Sequence, residues 1–263
     1  MSPQLSHIIE AAGAFMRQRI VYLGGLTRLA GQFAKQVFRR PFITQELKDQ
    51  CLHVGLASMP IAAITLFFVG VVFAFQFGIT LRKLGAVSFI GRVTSVSLLR
   101  ELGPVFTALV VGGRVGAGMA AEIGSMRVSE QIDAIRALGA DPVRKLIVPR
   151  IIASTFMLPI VTVLATIIGG IGAIILSWVE FRVSPLSFYT TSLSTIRLLD
   201  FISGFTKTFF FGFGIALVGC YEGMMCDFGT KGVGRATTRA IVNVSLVIVF
   251  TDFFLTHLFA YFL

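Results

Sequence analysis

Six charged side chains stand inside stretches that are otherwise apolar: Arg100, Glu101, Arg114, Lys207, Glu222 and Asp252. A charge at the depth of membrane hydrocarbon costs several kcal/mol unless it is paired or wetted, so such residues face a bundle interior or a cavity. Glu101 lies eight residues after Val93, and Lys207 six residues after Phe201. At about 1.5 Å per helical residue, both sit on the order of 10 Å inside the same boundary. Asp252 lies eleven residues before Leu263 and is a little deeper. Opposite charges at similar depth on three spans can neutralise one another. A Glu101–Lys207–Asp252 cluster is therefore expected, with Arg100 as a fourth member. It could line a polar path for substrate, fix helix register as an ion network, or do both by lining a polar cavity. A proton relay would want more acidic residues along a path.

Other devices for chemistry are missing from the sequence. There is no GxxxxGK[ST] to cradle a nucleotide phosphate and no HExxH. His7, His53 and His257 do not cluster, and Cys51, Cys220 and Cys226 have no CxxC spacing. The cysteines read as small apolar side chains in helices. No metal, nucleotide or other cofactor is expected on this chain, and driven work would need a separate subunit or an ion gradient.

The elements that must position the charges follow from composition. Of 263 residues, 55% are hydrophobic and only 14% charged, too few charges to cover a soluble globule of this length. The hydrophobicity excludes disorder, and three cysteines exclude a disulfide scaffold. A net charge of +10 could suggest nucleic acid, but the positive residues come in short clusters between long apolar runs. Five spans of roughly 20 residues are expected. The first is the charge-free run from Gln50 to Leu81, and the second runs from Val93 to about Ala121. The third spans Ile151 to Val179, the fourth about Phe201 to Met224, and the fifth Ala240 to Leu263. GxxxG pairs, Gly112/Gly116 and Gly219/Gly223, suit close helix packing. Of the 23 Lys and Arg residues, 15 fall before the first span or in the second-to-third and fourth-to-fifth loops, and 5 on the other side. The positive-inside rule puts the N-terminus in the cytoplasm and the C-terminus outside.

Residues 1–49 lack the apolar core and cleavage site of a signal peptide. They read as an amphipathic interfacial segment, with Leu26, Leu29, Ala30, Phe33 and Val37 on one face and Arg28, Gln32, Lys35 and Arg39 opposite. Residues 50–263 form the membrane domain. The outer loop between Glu180 and Asp200 is amphipathic and rich in Ser and Thr, suited to lie back on the membrane surface.

The second-to-third loop is patterned as well. Ser129 is an expected N-cap for EQIDAIRAL and Gly139 its stop. Ile132, Ile135 and Leu138 would form an apolar stripe, and Glu130, Asp133 and Arg136 a polar one. Asp141-Pro142 reads as the start of a second short helix. A short helix with two such stripes fits a partner's groove; the plainer alternative is an interfacial loop.

Two stretches resemble the MlaE/YrbE-type permease family, the membrane subunits of ABC transporters that work with MCE proteins. They are RELGPVFTALVVGGRVGAGMAAEIGSMRVSEQIDAIRALGADPVRKLIVPR, from Arg100 to Arg150, and GVGRATTRAIVNVSLVIVFTDFFLT, from Gly232 to Thr256. The resemblance covers roughly Phe42 to Leu263. It implies an all-α polytopic protein: an interfacial N-terminal helix, five transmembrane helices, and a cytoplasmic coupling helix between the second and third. It implies phospholipid transport between the inner membrane and the outer envelope, with the lipid asymmetry of the outer membrane at stake. The implied partners are a second permease copy as a homodimer, a cytoplasmic ABC ATPase that uses the ATP, an MCE-domain periplasmic protein and a small cytoplasmic accessory subunit. It places Glu130, Gln131, Ile132, Asp133 and Arg136 in the coupling helix, and Glu101, Lys207 and Asp252 at polar positions of the bundle. The chain would be a transport subunit, not an enzyme. An ion-gradient-driven secondary transporter or channel, with Glu101, Asp252 and His257 as carriers, is the alternative, although it would usually bring repeats and broken helix pairs. An intramembrane lipid enzyme would need a clustered nucleophile or metal motif.

Overall fold

The computed structural model describes residues 3–37 and 44–261, and all of their regular structure is helical. Arg39, Arg40 and Leu263, used above for charge placement and for the end of the fifth span, lie outside the described residues. Among the described residues, five helical segments are long and apolar enough to cross a membrane: Gln45–Lys83, Val87–Val128, Val143–Phe181, Leu198–Met224 and Thr230–Ala260. They contain the first four expected spans, and the fifth begins ten residues before the expected Ala240 and is described as a helix as far as Ala260.

The helices follow in the order α1 (Pro3–Gln36), α2 (Thr44–Val54), α3 (Met59–Lys83), α4 (Ile90–Ser97), α5 (Gly103–Val128), α6 (Gln131–Ala137), α7 (Val148–Phe181), α8 (Pro185–Thr195), α9 (Leu198–Met224) and α10 (Thr230–Ala260). Helix α5 is central, packed on α9, α10, α7 and α3, while α3 pairs with α7. Two of these pairings bring backbones together. A Cβ on Gly70 of α3 would run into the carbonyl oxygen of Gly169 on α7. One on Gly219 of α9 would lie 2.8 Å from the carbonyl oxygen of Gly116 on α5. Small residues thus set the helix spacing, as is common where lipid provides no hydrophobic drive between helices.

Two π-helical turns interrupt the spans, Leu98–Leu102 between α4 and α5, and Val143–Ile147 before α7. Each is followed by a proline at its second helical position, Pro104 and Pro149. Proline lacks an N–H and crowds the carbonyl four residues back, so the ladder widens locally.

Part of the N-terminal stripe faces protein. Leu26 and Leu29 are buried in the core, and Phe33 meets Phe213 edge-on at 5.9 Å. Arg28, Gln32 and Lys35 are exposed on the other face. The 49/50 boundary falls inside α2, which packs on α7. The loop between the third and fourth spans forms α8, capped by Ser184 Oγ accepting from Ser187 N at 3.2 Å, and α8 lies against α4 and α7.

Candidate functional site

The structure brings Glu101, Lys207 and Asp252 together. Lys207 Nζ lies 2.5 Å from Glu101 Oε2 and 3.1 Å from Asp252 Oδ1. It also donates to Thr256 Oγ1 at 2.7 Å and to the carbonyl of Arg100 at 3.4 Å. Glu101 Oε2, Thr256 Oγ1 and the Arg100 carbonyl therefore serve the three N–H donors of the ammonium, which is what permits a lysine only 1% exposed. The Arg100 carbonyl is four residues before Pro104, so the usual helical N–H is not there to occupy it. Glu101 stands in the π-helical turn, and Asp252 and Thr256 are one helical turn apart on α10. Both carboxylates keep partial exposure while the ammonium is sealed. Asp252 Oδ1 has no hydrogen-bond partner among the described residues, so its contact with Lys207 is one of charge.

Arg100 departs from the expectation. Its side chain turns toward Asp200, with Nη1 3.6 Å from Oδ1, and only its carbonyl joins the cluster. Arg100 and Glu101 are successive residues of one helical turn and so point in different directions, one side chain toward Asp200 and the other toward Lys207.

On the opposite face, α6 holds the expected docking segment with several corrections. Ser129 is not its N-cap; its hydroxyl donates back to Ser125 O at 2.8 Å. Glu130 makes the break instead, with a left-handed backbone at φ 59°. Ile132 is buried and anchors the helix, whereas Glu130, Gln131, Asp133 and Arg136 are exposed. Leu138 leaves the apolar stripe and is 84% exposed, since the helix has ended and Gly139 turns the chain at φ 77°. Asp133 and Arg136 pair at 2.8 Å. Asp141 caps the next segment by accepting from Val143 N at 2.9 Å, but that segment is no short helix: it runs on through α7. Gln36 at the end of α1 donates to Asp141 Oδ2 at 2.5 Å, tying α1 to this loop.

Two further ion networks were not foreseen. Buried Glu222 accepts from Arg239 Nε at 3.1 Å and from Asn243 Nδ2 at 2.7 Å. Tyr22 of α1 meets Tyr221 edge-on at 5.1 Å, and burial, then the Glu222 charge, pushes its hydroxyl above the usual range. Arg150 is buried, with Nη2 2.9 Å from Glu122 Oε2 and Nη1 donating to Leu146 O. The available signal was the i,i+4 spacing of Arg239 and Asn243, which puts both on one face of α10 opposite Glu222. Arg114, the remaining charge inside a span, donates to Ser58 Oγ at 2.7 Å.

Comparison with known proteins adds a family relation. A family profile described as Permease MlaE matches residues 47–258. A protein of Rickettsia conorii named "Probable ABC transporter permease protein" is 38% identical over 90% of this chain and 92% of its own length. One of Synechocystis with the same description is 41% identical over 88% of each chain. The Arabidopsis thaliana protein "TRIGALACTOSYLDIACYLGLYCEROL 1, chloroplastic" is 36% identical over 88% of this chain and 66% of its own.

Proposed function

The chain belongs to the MlaE family of ABC transporter permeases, and on that premise we propose that it moves phospholipid between the inner membrane and the outer envelope of a double-membraned cell. A separate cytoplasmic ATPase supplies the energy, and ATP is bound there rather than on this chain. The N-terminus is cytoplasmic, with the basic loops on the same side. A second copy completes the permease, an MCE-domain protein meets it on the far side, and a small cytoplasmic subunit accompanies the ATPase. The name of the Arabidopsis relative, that of a glycolipid, supports a lipid as cargo.

One observation carries the mechanism: α5 joins the two candidate sites. It begins two residues after Glu101 and ends three residues before α6. Its 26 residues span about 39 Å at 1.5 Å per residue. Motion of an ATPase against the exposed side chains of α6 would travel along this rod to the π-helical turn that carries Glu101. The turn holds an extra residue in its ladder and is the place where such motion can be absorbed. A dimer cavity open to the outer side would hold acyl chains on its apolar walls, with the charge cluster meeting the head group or holding the helices that open and close it.

Co-purification tests this reading. The full chain should carry an ATP-binding subunit with it from the native membrane, in fixed stoichiometry. Purification of an active transporter without any ATP-binding subunit would favour a gradient-driven carrier instead.

A further inference from the structure

An apolar cavity of about 340 Å³ lies within one chain, between the π-helical turn, α7, α8 and α9. Its walls include Leu98, Pro104, Val163, Ile167, Phe188 and Phe205. Two of its three threonines add little polarity: Thr162 Oγ1 donates to Leu158 O at 2.9 Å and Thr208 Oγ1 to Phe205 O at 2.6 Å, so both hydroxyls are satisfied by their own helices. Along α7 the lining runs from Pro159 to Ile174, fifteen residues further on, or about 22 Å. One leaflet of a bilayer core is about 15 Å thick. The cavity is therefore long enough for a single-leaflet acyl chain, and its volume falls in the range of small-ligand pockets.

A second pocket, of about 410 Å³, adjoins it at the outer end, and Ile196 lines both. This one is polar and basic, with Arg92, Arg100 and Arg197 facing the single carboxylate of Asp200. Asp200 is committed, with Oδ1 toward Arg100 and Oδ2 accepting from Arg197 N at 2.9 Å. Arg92 is held by Nε donating to Thr195 Oγ1 at 2.8 Å and lies over the Phe89 ring at 5.1 Å. The Arg197 guanidinium has no carboxylate within ion-pair range among the described residues. Guanidinium forks are the side chains best shaped for phosphate oxygens.

We infer that each chain carries its own phospholipid site: the phosphate in the Arg92–Arg100–Arg197 pocket and one acyl chain in the cavity below it. The occupant comes from the outer leaflet, since the basic pocket lies toward that face. The site is separate from the Glu101–Lys207–Asp252 cluster. Lys207 faces Glu101 of the π-helical turn and Asp252 of α10, while Phe205 and Thr208 line the cavity. Arg100 links the two places, with its side chain in the basic pocket and its carbonyl on Lys207. The inference rests on the lipid reading above, and its test separates the two.

The full chain is placed in vesicles of phosphatidylethanolamine and phosphatidylglycerol doped with a phosphatidylglycerol that bears a diazirine in one acyl chain. After illumination, adducts are mapped by peptide mass spectrometry. Adducts are expected on α7 between 162 and 170 and on α9 between 201 and 208. A Cβ on Gly170, which lines the cavity, would meet open space, so Gly170→Leu fills the void without a clash and should lower these adducts about tenfold. Leu193→Trp blocks the opposite wall and should do the same. Arg92→Gln with Arg197→Gln should reduce labelling by the phospholipid but not by a diazirine diacylglycerol, and millimolar inorganic phosphate should not compete. Adducts absent from both segments, or undiminished in both filling variants, would overturn the site. Displacement by inorganic phosphate would reassign the basic pocket to a free anion and overturn it equally. ATP-driven transfer is measured with the partner ATPase on the same preparation. Transfer without these adducts sinks the side site alone; adducts without transfer sink the permease reading alone.

Discussion

Lys207 and Glu101 are 106 residues apart in the chain, and their side chains meet at 2.5 Å. The contact joins α9 to the turn that feeds α5, and Asp252 closes it from α10 at 3.1 Å. Two carboxylates against one ammonium leave a formal charge of −1.

Charge balance should govern how this cluster tolerates change. Lys207→Met leaves two carboxylates facing each other, and breaking a buried pair typically costs about 3–5 kcal/mol. The partial exposure of Glu101 and Asp252 places the expected loss at the lower end. Adding Glu101→Gln restores the charge of −1 and should recover most of the lost thermal stability. If the double variant folds yet transfers no lipid, the cluster does more than hold register. Full recovery of both stability and transfer would reduce it to an ion network.

The Asp133–Arg136 pair should matter little to the fold. Both side chains are more than half exposed, and such pairs contribute about 0.2–1 kcal/mol. Asp133→Arg is therefore expected to leave the melting temperature within a few degrees of the parent while abolishing co-purification with the ATPase. Normal complex formation and normal turnover would remove α6 from the docking surface.

Helix contacts should discriminate sharply between neighbouring glycines. Gly70→Leu drives a side chain into the Gly169 carbonyl, and overpacking of this kind costs about 1–3 kcal/mol or more. Gly170→Leu meets open space and gains helix propensity. Accumulation in membranes, followed by thermal unfolding in detergent, should fall for the first and hold for the second.

Tyr22 should hold α1 against the bundle. Its ring lies on Tyr221 beside buried Glu222. Tyr22→Ala is expected to raise hydrogen exchange across residues 19–36 by at least several fold, with little change in α9. Unchanged protection would leave the anchoring to Leu26, Leu29, Phe33 and the Gln36–Asp141 contact.

Much of this arrangement was legible in the residues. Long apolar runs mark spans because hydrocarbon leaves the backbone few alternatives, and five spans were expected and found. Depth counting put Glu101 and Lys207 at one level with Asp252 a little deeper, and at similar depth opposite charges find each other. Rotation about each helix axis was harder to read. Arg100 shares its depth with Glu101 but faces Asp200. The π-helical turns could not be read from periodicity, since Pro104 and Pro149 signal a disturbed ladder without saying how it is resolved. The Glu222 and Arg150 networks join helices whose mutual orientation is set by packing, so their partners became visible only once the bundle was assembled. Helix α1 showed its apolar stripe, but not that protein covers Leu26 and Leu29.

The most direct test places the permease and its ATPase in vesicles and follows movement of a labelled phospholipid out of the membrane to an acceptor. Movement should require ATP and both subunits, persist when ion gradients are collapsed, and fall at least tenfold with Asp133→Arg and with Lys207→Ala. Movement that proceeds without ATP, or that follows an ion gradient, would contradict the account.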